Sequence, residues 1–560
     1  MNKIKYTLLG MAVAVFAGCA GLDYNEASNR DEDWTYNSPL NGVKALVYDV
    51  YAQMPSEFKD NSYGNGALIA SATDESEFAL SFSPIHKYFN GGWTPSNPFS
   101  TTWDRSYRAI TQVHMYLERI HKIDLSDYEY DPDYQTMVQQ FEIFPYELRF
   151  LRAYFYFELV RAYGDVPLVT TALTNEQANS VERTPAKDVF KFIINELDAV
   201  AEYLPVSYND IPGQEIGRAT RGAALALKAR ALLYQASPLF NTDNNKELWK
   251  EAAAAIDNAQ RWGYKLSEYA NLWGHDTFTN PEFIFVLGTQ ASNTFEQYNY
   301  PVGVENGNSG NCPTQALVDA YEYQTDGKTF KEKHPGDVDV TTENPYDGLD
   351  PRFELTVVKN GDLWPSNTTQ QIAIETYQSG FNGAPKYSAT PTGYYLKKFV
   401  DGNCVTTANN QTTTRHNWIV MRLAEVYLNY AEAMYNYYGN ADEQGDFGMS
   451  ANEAINVLRN RPDIMMPEFQ GNNGFEERYM RERMVELAFE GQRFWDVRRW
   501  KKGAEFFKNV DVADFKLNGN GNLILNRVTK TRQWDEKYNL YPIPQSEIQK
   551  NGNLKQNPNW

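Results

Sequence analysis

The sequence predicts a mainly α-helical protein: tetratricopeptide-like helix pairs forming a scaffold, with an irregular loop-rich region and a few short strands. Three observations carry that reading. Apolar residues recur at spacings of three and four through most of the first half, which is the helical period. From about residue 280 to 410 the chain becomes rich in Gly, Pro, Asn and Thr, the composition of turns and loops. Helical periodicity then returns.

Taken in order, Lys3 and Lys5 precede the apolar run YTLLGMAVAVFAGC. A spanning helix needs about 20 apolar residues, so this shorter run reads as an export signal covering residues 1–18. Its end, FAGC, resembles the lipobox of bacterial lipoproteins, with Phe16 where that pattern usually has Leu. The resemblance makes Cys19 the lipidated first residue of the mature chain; ordinary signal cleavage near Ala17 or Gly18 is the rival. AGLDYNEASNRDED then reads as a polar leash.

An N-terminal helical region is expected over 19–265, with helices at Trp103–His121, Phe141–Tyr163, Ala186–Tyr203, Ala219–Gln235 and Leu248–Trp262. Several are alanine-rich, which lets neighbouring helices approach closely. A C-terminal region over 266–560 carries the loop-rich insert, with strand-like runs EFIFVLG and FELTVVKNG. Helices resume at WIVMRLAEVYLNYAEAMYNYYG, SANEAINVLRNR and RERMVELAFEGQRFWDVRRW, and the tail YPIPQSEIQKNGNLKQNPNW is rich in turns. At 560 residues the chain exceeds what one core usually serves, so two or more packed sub-regions are expected.

The segment from Arg481 to Trp500 holds four carboxylates and five arginines. On a helical wheel, Met480, Met484, Leu487, Ala488, Gly491, Phe494 and Trp495 form an apolar face. Gly491 there suggests close contact with a neighbouring backbone. Glu486, Glu490, Arg493, Asp496 and Arg499 suggest a structural ion-pair helix, because buried charges must be paired. A glycosidase needs two carboxyl groups flanking the scissile bond, which carboxylates stacked on one helix face do not provide.

A formal charge of −20 argues against nucleic acid as a partner. The 38 Tyr, 30 Phe and 12 Trp exceed ordinary packing needs and suggest that some rings face a ligand. Beyond Cys19 only Cys312 and Cys404 remain; they are open to pairing, and the lack of CxxC leaves zinc and redox sites unsupported. HExxH and GxSxG are missing, and DGKT at Asp326–Thr329 lacks the upstream glycine of a phosphate loop. The six histidines are scattered, with His86 and His416 the best placed for exposure. No catalytic residue, cofactor or metal is assigned.

ERMVELAFEGQRFWDVRRW resembles the C-terminal helix of the SusD/RagB family of outer-membrane lipoproteins. LRAYFYFELVRAYGDVPLV, NCPTQALVDAYEYQTDGK, NPYDGLDPRFELTVVKNGDLW, IVMRLAEVYLNYAEAM and the tail agree with it in the family's order. The resemblance implies a non-enzymatic surface lipoprotein. It would sit over a SusC-like TonB-dependent transporter and capture oligosaccharides; the RagB branch takes peptides instead. A glycoside hydrolase is the distant alternative.

A sugar site needs an aromatic platform beside planar polar groups. DESEFALSFSPIHKYFNGGWTPSNPF supplies Asp74, Glu75, Trp93 and Asn97, and the resemblance implies aromatic and acidic contacts from this loop. Loop packing is the rival role for Trp93, and helix capping for the two acids. TQASNTFEQYNYPVGVENGNSGN supplies Phe295, Tyr298 and Tyr300, and KYSATPTGYYLKKF supplies Tyr387 and Tyr394, with strand packing as the rival for the last two.

Overall fold

Helical periodicity in the first half becomes a ladder in which each helix packs on the next. The computed structural model describes residues 42–560 except 59–65, 210–214, 216, 258, 274–278 and 365–370. The signal segment, Cys19 and the leash lie outside the described residues. Helix α1 (Lys44–Ala52) leans on α2 (Thr102–Leu117) and α3 (Tyr134–Tyr163). Then α2 packs on α3, α3 on α4 (Ala186–Ala201), α4 on α5 (Arg221–Ala236), and α5 on α6 (Lys246–Ile256).

The ladder does not stop at α6. Its next neighbour is α7 (Leu423–Tyr438), which carries α8 (Ala451–Arg459). The whole insert between α6 and α7 is therefore looped out of one continuous helical stack. Buried Ala223, Ala224, Ala226, Ala229 and Ala231 on α5 let α4 and α6 close in from both sides. Thr220 caps α5 by accepting the Ala223 amide, and Ser450 and Glu453 form a capping box on α8. At the other ends, Gly164 closes α3 and Gly439 closes α7 with positive φ.

Among the strands that frame the loops are β1 (Ser76–Phe78), β2 (Phe283–Gly288), β3 (Asn311–Pro313), β4 (Val338–Asp339), β5 (Asn417–Arg422), β6 (Asn509–Leu517) and β7 (Leu523–Thr531). All pairings are antiparallel: β1 with β3 through Glu77↔Cys312, β2 with β5, and the β6–β7 hairpin with β4 on its β7 edge. One core cluster fills the ladder, and smaller ones lie under the loops, the largest around Leu317, Tyr321, Phe353 and Phe515.

Three expectations are corrected. WIVMR, expected to open a helix, is strand β5, wholly buried, and the helix begins only at Leu423; its β-branched and aromatic run suits a buried ladder. FELTVVKNG, expected as a strand, is helical over Pro351–Thr356, with only Val357–Val358 extended. Asp350 caps this helix through the Arg352 amide, and proline occupies its first turn. Finally, the charged segment is two helices, α9 (Phe475–Glu486) and α10 (Gln492–Arg499). Phe489 and Gly491 take left-handed φ of 62° and 75°, and Gly491 is the N-cap of α10. A Cβ on Gly491 would lie 2.8 Å from Glu57 Oε1, so its close neighbour is a carboxylate and not a backbone. Among the described residues no helix is long and apolar enough to cross a membrane.

Candidate functional site

The charged junction decides whether carboxylates are free for chemistry. Glu486 is fully buried and accepts from Arg352 at 2.8 Å, Arg422 at 2.7 Å and Arg461 at 2.9 Å. Burial alone would raise its pKa; the three guanidinium charges outweigh that and hold the carboxyl far below the usual range. Glu490 is spanned by Arg422 and Lys398, Glu482 by Arg352 and Arg459, and Asp496 by Arg483 and Arg499. Arg499 also reaches Glu432 on α7. Burial pulls Lys398 down to about 8 despite the Glu490 carboxylate at 2.9 Å. The partners come from α7, the end of α8 and the turn after it, β5, the insert and both charged helices, so the lattice clamps ladder to loops. A carboxylate held by two or three cations is a poor proton donor or acceptor at neutral pH.

Arg493 takes no part in that lattice. Its Nε and Nη2 grip both oxygens of Asp74 at 2.9 and 2.7 Å, which fixes the start of the 74–99 loop. Glu75 beside it is 1% exposed, and its carboxyl faces the Phe489 backbone and the charges of Arg493 and Lys398. Burial first, then the Asp74 charge, pushes its pKa well above the carboxylate range. Neither acid is presented as a hydroxyl partner in this structure, and neither caps a helix.

Trp93 is not an open platform either. Its ring is 2% exposed, stacked on Tyr538 at 5.8 Å and edge-on to Tyr88, Tyr541 and Trp560 at 4.8, 4.8 and 5.1 Å. The reason is the C-terminal tail, which folds over the loop and seals it. Phe295 is buried edge-on against Phe58 at 4.9 Å. Tyr300 is buried, with its hydroxyl on the carbonyls of Asp401 and Cys404 at 2.6 and 2.7 Å. Tyr394 is buried and donates to Gln315 Oε1 at 2.7 Å. His416 is buried against Glu296 at 2.8 Å. Cys312 and Cys404 are unpaired thiols, and burial pushes Cys312 up to about 12.

What stays accessible is different. Asn97 is exposed, takes Lys87 Nζ on its Oδ1 at 3.0 Å, and donates to the Gly92 carbonyl at 3.1 Å. Tyr298 is half-buried, its ring laid over Gly66, where a Cβ would overlap it. The open rings of the loop region are Phe82 (61% exposed), Phe381 (50%) and Tyr387 (73%). The 300–310 turn joins their segments: Ala79, three residues before Phe82, donates to the Gly310 carbonyl, and Asn382 donates to the Val302 carbonyl at 2.7 Å.

Phe381 is held outward by a tight turn. Its amide donates to Glu375 Oε2 at 2.8 Å, and Asn382 Oδ1 accepts the Glu375 amide at 3.0 Å. Gly303 lies against the ring, with a Cβ there 3.0 Å from it, and Lys386 Nζ sits 3.8 Å from its centroid. This is a pinned loop carrying flat apolar faces among amides and hydroxyls. Phe82 in SFSP and Phe381 in SGFNG were the signals in the sequence: lone rings among turn formers. Among the described residues no group of three or more His, Cys, Asp or Glu is arranged to hold a metal ion.

The model of the SusD family matches residues 281–560. A second family model, described as starch-binding and associating with the outer membrane, matches residues 22–233. A SusD-like protein (P2) of Formosa agariphila is 26% identical over 427 residues, covering 73% of this chain and 72% of that protein. Among solved structures, a SusD-like protein from Bacteroides fragilis superposes with a TM-score of 0.77 at 26% identity, covering 95% of this chain and 99% of its own. A laminarin-binding SusD-like protein shares the fold with a TM-score of 0.63 at 22% identity, covering 95% and 100%.

Proposed function

This chain belongs to the SusD family, and from that premise we propose that it is a glycan-binding lipoprotein of the outer-membrane surface. Acyl chains on Cys19 would anchor it. It would hold oligosaccharides reversibly and hand them to a SusC-like TonB-dependent transporter, with no bond broken in the ligand. The observation that carries the reading is the set of open rings, Phe82, Phe381 and Tyr387, with the Phe381 turn pinned by its amide bond to the Glu375 carboxylate. A sugar ring lays its C–H face on such a ring and turns its hydroxyls toward neighbouring amides. The description of the family model over residues 22–233 supports a starch-like glycan and the outer membrane. The paired state of Glu482, Glu486, Glu490 and Asp496 supports binding over hydrolysis.

Peptide capture on the same scaffold is the rival. Isothermal titration of the soluble body against neutral oligosaccharides and against peptide mixtures separates the two. Heat with oligosaccharides, lost when Phe82, Phe381 and Tyr387 are all changed to Ala, is the expected result. Heat with peptides alone overturns the glycan reading.

A further inference from the structure

We infer that the cavity behind the α9–α10 break is a second ligand site, taking one small neutral polyhydroxylated ring of monosaccharide size. It lies apart from the loop face and rests on its own observations. Where α9 ends and the chain turns through Phe489 and Gly491, the break stands off from α3 and β5. The space left is a cavity of about 120 Å³. At about 10–15 Å³ for each water-sized group, that is room for about ten such groups, close to a six-membered ring with its hydroxyls.

Two polar atoms in its lining are left unsatisfied. Gln492 is 8% exposed, and its Oε1 has no hydrogen-bond partner. Arg161 holds Glu158 through Nη2 at 2.6 Å, while its buried Nε–H has no acceptor. Buried polar groups are normally satisfied, so two at one cavity call for an answering group. The missing partner must accept from Arg161 and donate to Gln492, and a hydroxyl does both. Trp418 supplies an apolar face for the ring; Trp495, half-buried, is stacked under the Arg161 guanidinium at 4.2 Å and on Tyr541 at 5.5 Å, and completes the wall.

Charge sets the class. Glu158 is matched by Arg161, Arg230 by Glu425, and Glu490 by Arg422 and Lys398. An anion would meet the carboxylates of Glu57, Glu158 and Glu490, and a cation would meet Arg161 and Arg230. A neutral polyol avoids both. Gly491 keeps the wall thin, since a Cβ there would stand 3.6 Å from the Trp418 ring as well as against Glu57.

The test is isothermal titration and thermal melting of the soluble chain with D-glucose, D-galactose, D-mannose and N-acetyl-D-glucosamine, one at a time, and inorganic phosphate as the charged control. At least one sugar is expected to bind one-to-one at millimolar concentration and raise the melting temperature, with phosphate silent. Gln492→Leu should weaken that sugar at least tenfold and leave oligosaccharide binding at the loop face as it was. Gln492→Met serves if the first variant does not fold. The Phe82, Phe381 and Tyr387 triple alanine variant should keep the monosaccharide. If no sugar binds, if only phosphate binds, or if both Gln492 variants bind as wild type, the inference falls. Because the two sites have separate variants, loss of oligosaccharide binding in the triple variant reports on the loop face only.

Discussion

At the α9–α10 junction each buried carboxylate is spanned by at least two cations, most of them from other parts of the chain, whereas the turn around Phe381 is held by bonds to Glu375 six or seven positions away, with one longer bond from Asn382 to the Val302 carbonyl. The difference follows from what each region must exclude. Charges taken out of water need complete pairing, so the junction recruits Arg352, Arg422, Arg459 and Arg461 and becomes a clamp. The loop face buries its backbone polar groups locally and leaves rings in water, where a ligand can cover them. Stability and binding should therefore be separable by mutation.

The largest effect tests the clamp. Arg422→Ala takes one cation from Glu282, Glu486 and Glu490 at once, leaving Arg461 on Glu282, Arg352 and Arg461 on Glu486, and Lys398 on Glu490. Breaking one buried pair costs about 3–5 kcal/mol, and with three buried pairs lost at one residue the loss should fall in that range even though each carboxylate keeps another cation. Denaturant titration measures it; a loss under about 1 kcal/mol would mean that water reaches the junction.

Trp93→Ala follows. The ring is packed by four others, and emptying such a site costs about 3–5 kcal/mol. Its melt should fall while the ligand affinity of the folded fraction stays near wild type. The reverse pattern, an intact melt with lost binding, would return Trp93 to the ligand surface and blur the contrast. On the loop face, Phe82→Ala and Tyr387→Ala should each weaken oligosaccharide binding by about 1–3 kcal/mol. Their stability should stay within about 0.5 kcal/mol of wild type, since surface changes usually do. A large drop in the melt would show that these rings pack instead of waiting for a ligand.

The ladder was legible because its signal is local: the three-and-four spacing of Ala186–Tyr203 reappears as α4 ending at Ala201, and that of Ala219–Gln235 as α5. The SusD family was legible through six ordered segments. The sites were not, and Trp93 shows why. GGWTP and SGFNG look alike as sequence, yet one ring is sealed and the other open. The deciding contacts, Tyr538, Tyr541 and Trp560, sit at the far end of the chain. The same distance problem hid the partner of Asp74, which is Arg493, and the break at Gly491, where a wheel drawn for one helix put a packing glycine. The β6–β7 hairpin was within reach: alternating DVADFKL and LILNRVT flank an NGNGN turn, a strong hairpin signal.

The smallest effect is a matter of sign, and it divides two neighbouring acids. Glu486 is held below the usual carboxylate range by Arg461, Arg422 and Arg352 against the penalty of burial. Its contribution is present above the unfolded value of 4.5 and is lost as pH falls toward the folded one. Glu75 runs the other way. Burial and the Asp74 carboxylate raise it, and Arg493 and Lys398 offset only part of that. The folded state then binds the proton more tightly than the unfolded chain, so stability declines as pH climbs from 4.5 toward the raised folded value. Glu75→Gln removes the ionisable group and keeps the shape. The variant should match wild type below the carboxylate range and gain on it steadily toward neutral pH, as followed by urea titrations at a series of pH values. A variant less stable than wild type at pH 7 would mean that Glu75 is ionised and paired, and that the buried acids of the two regions obey one rule.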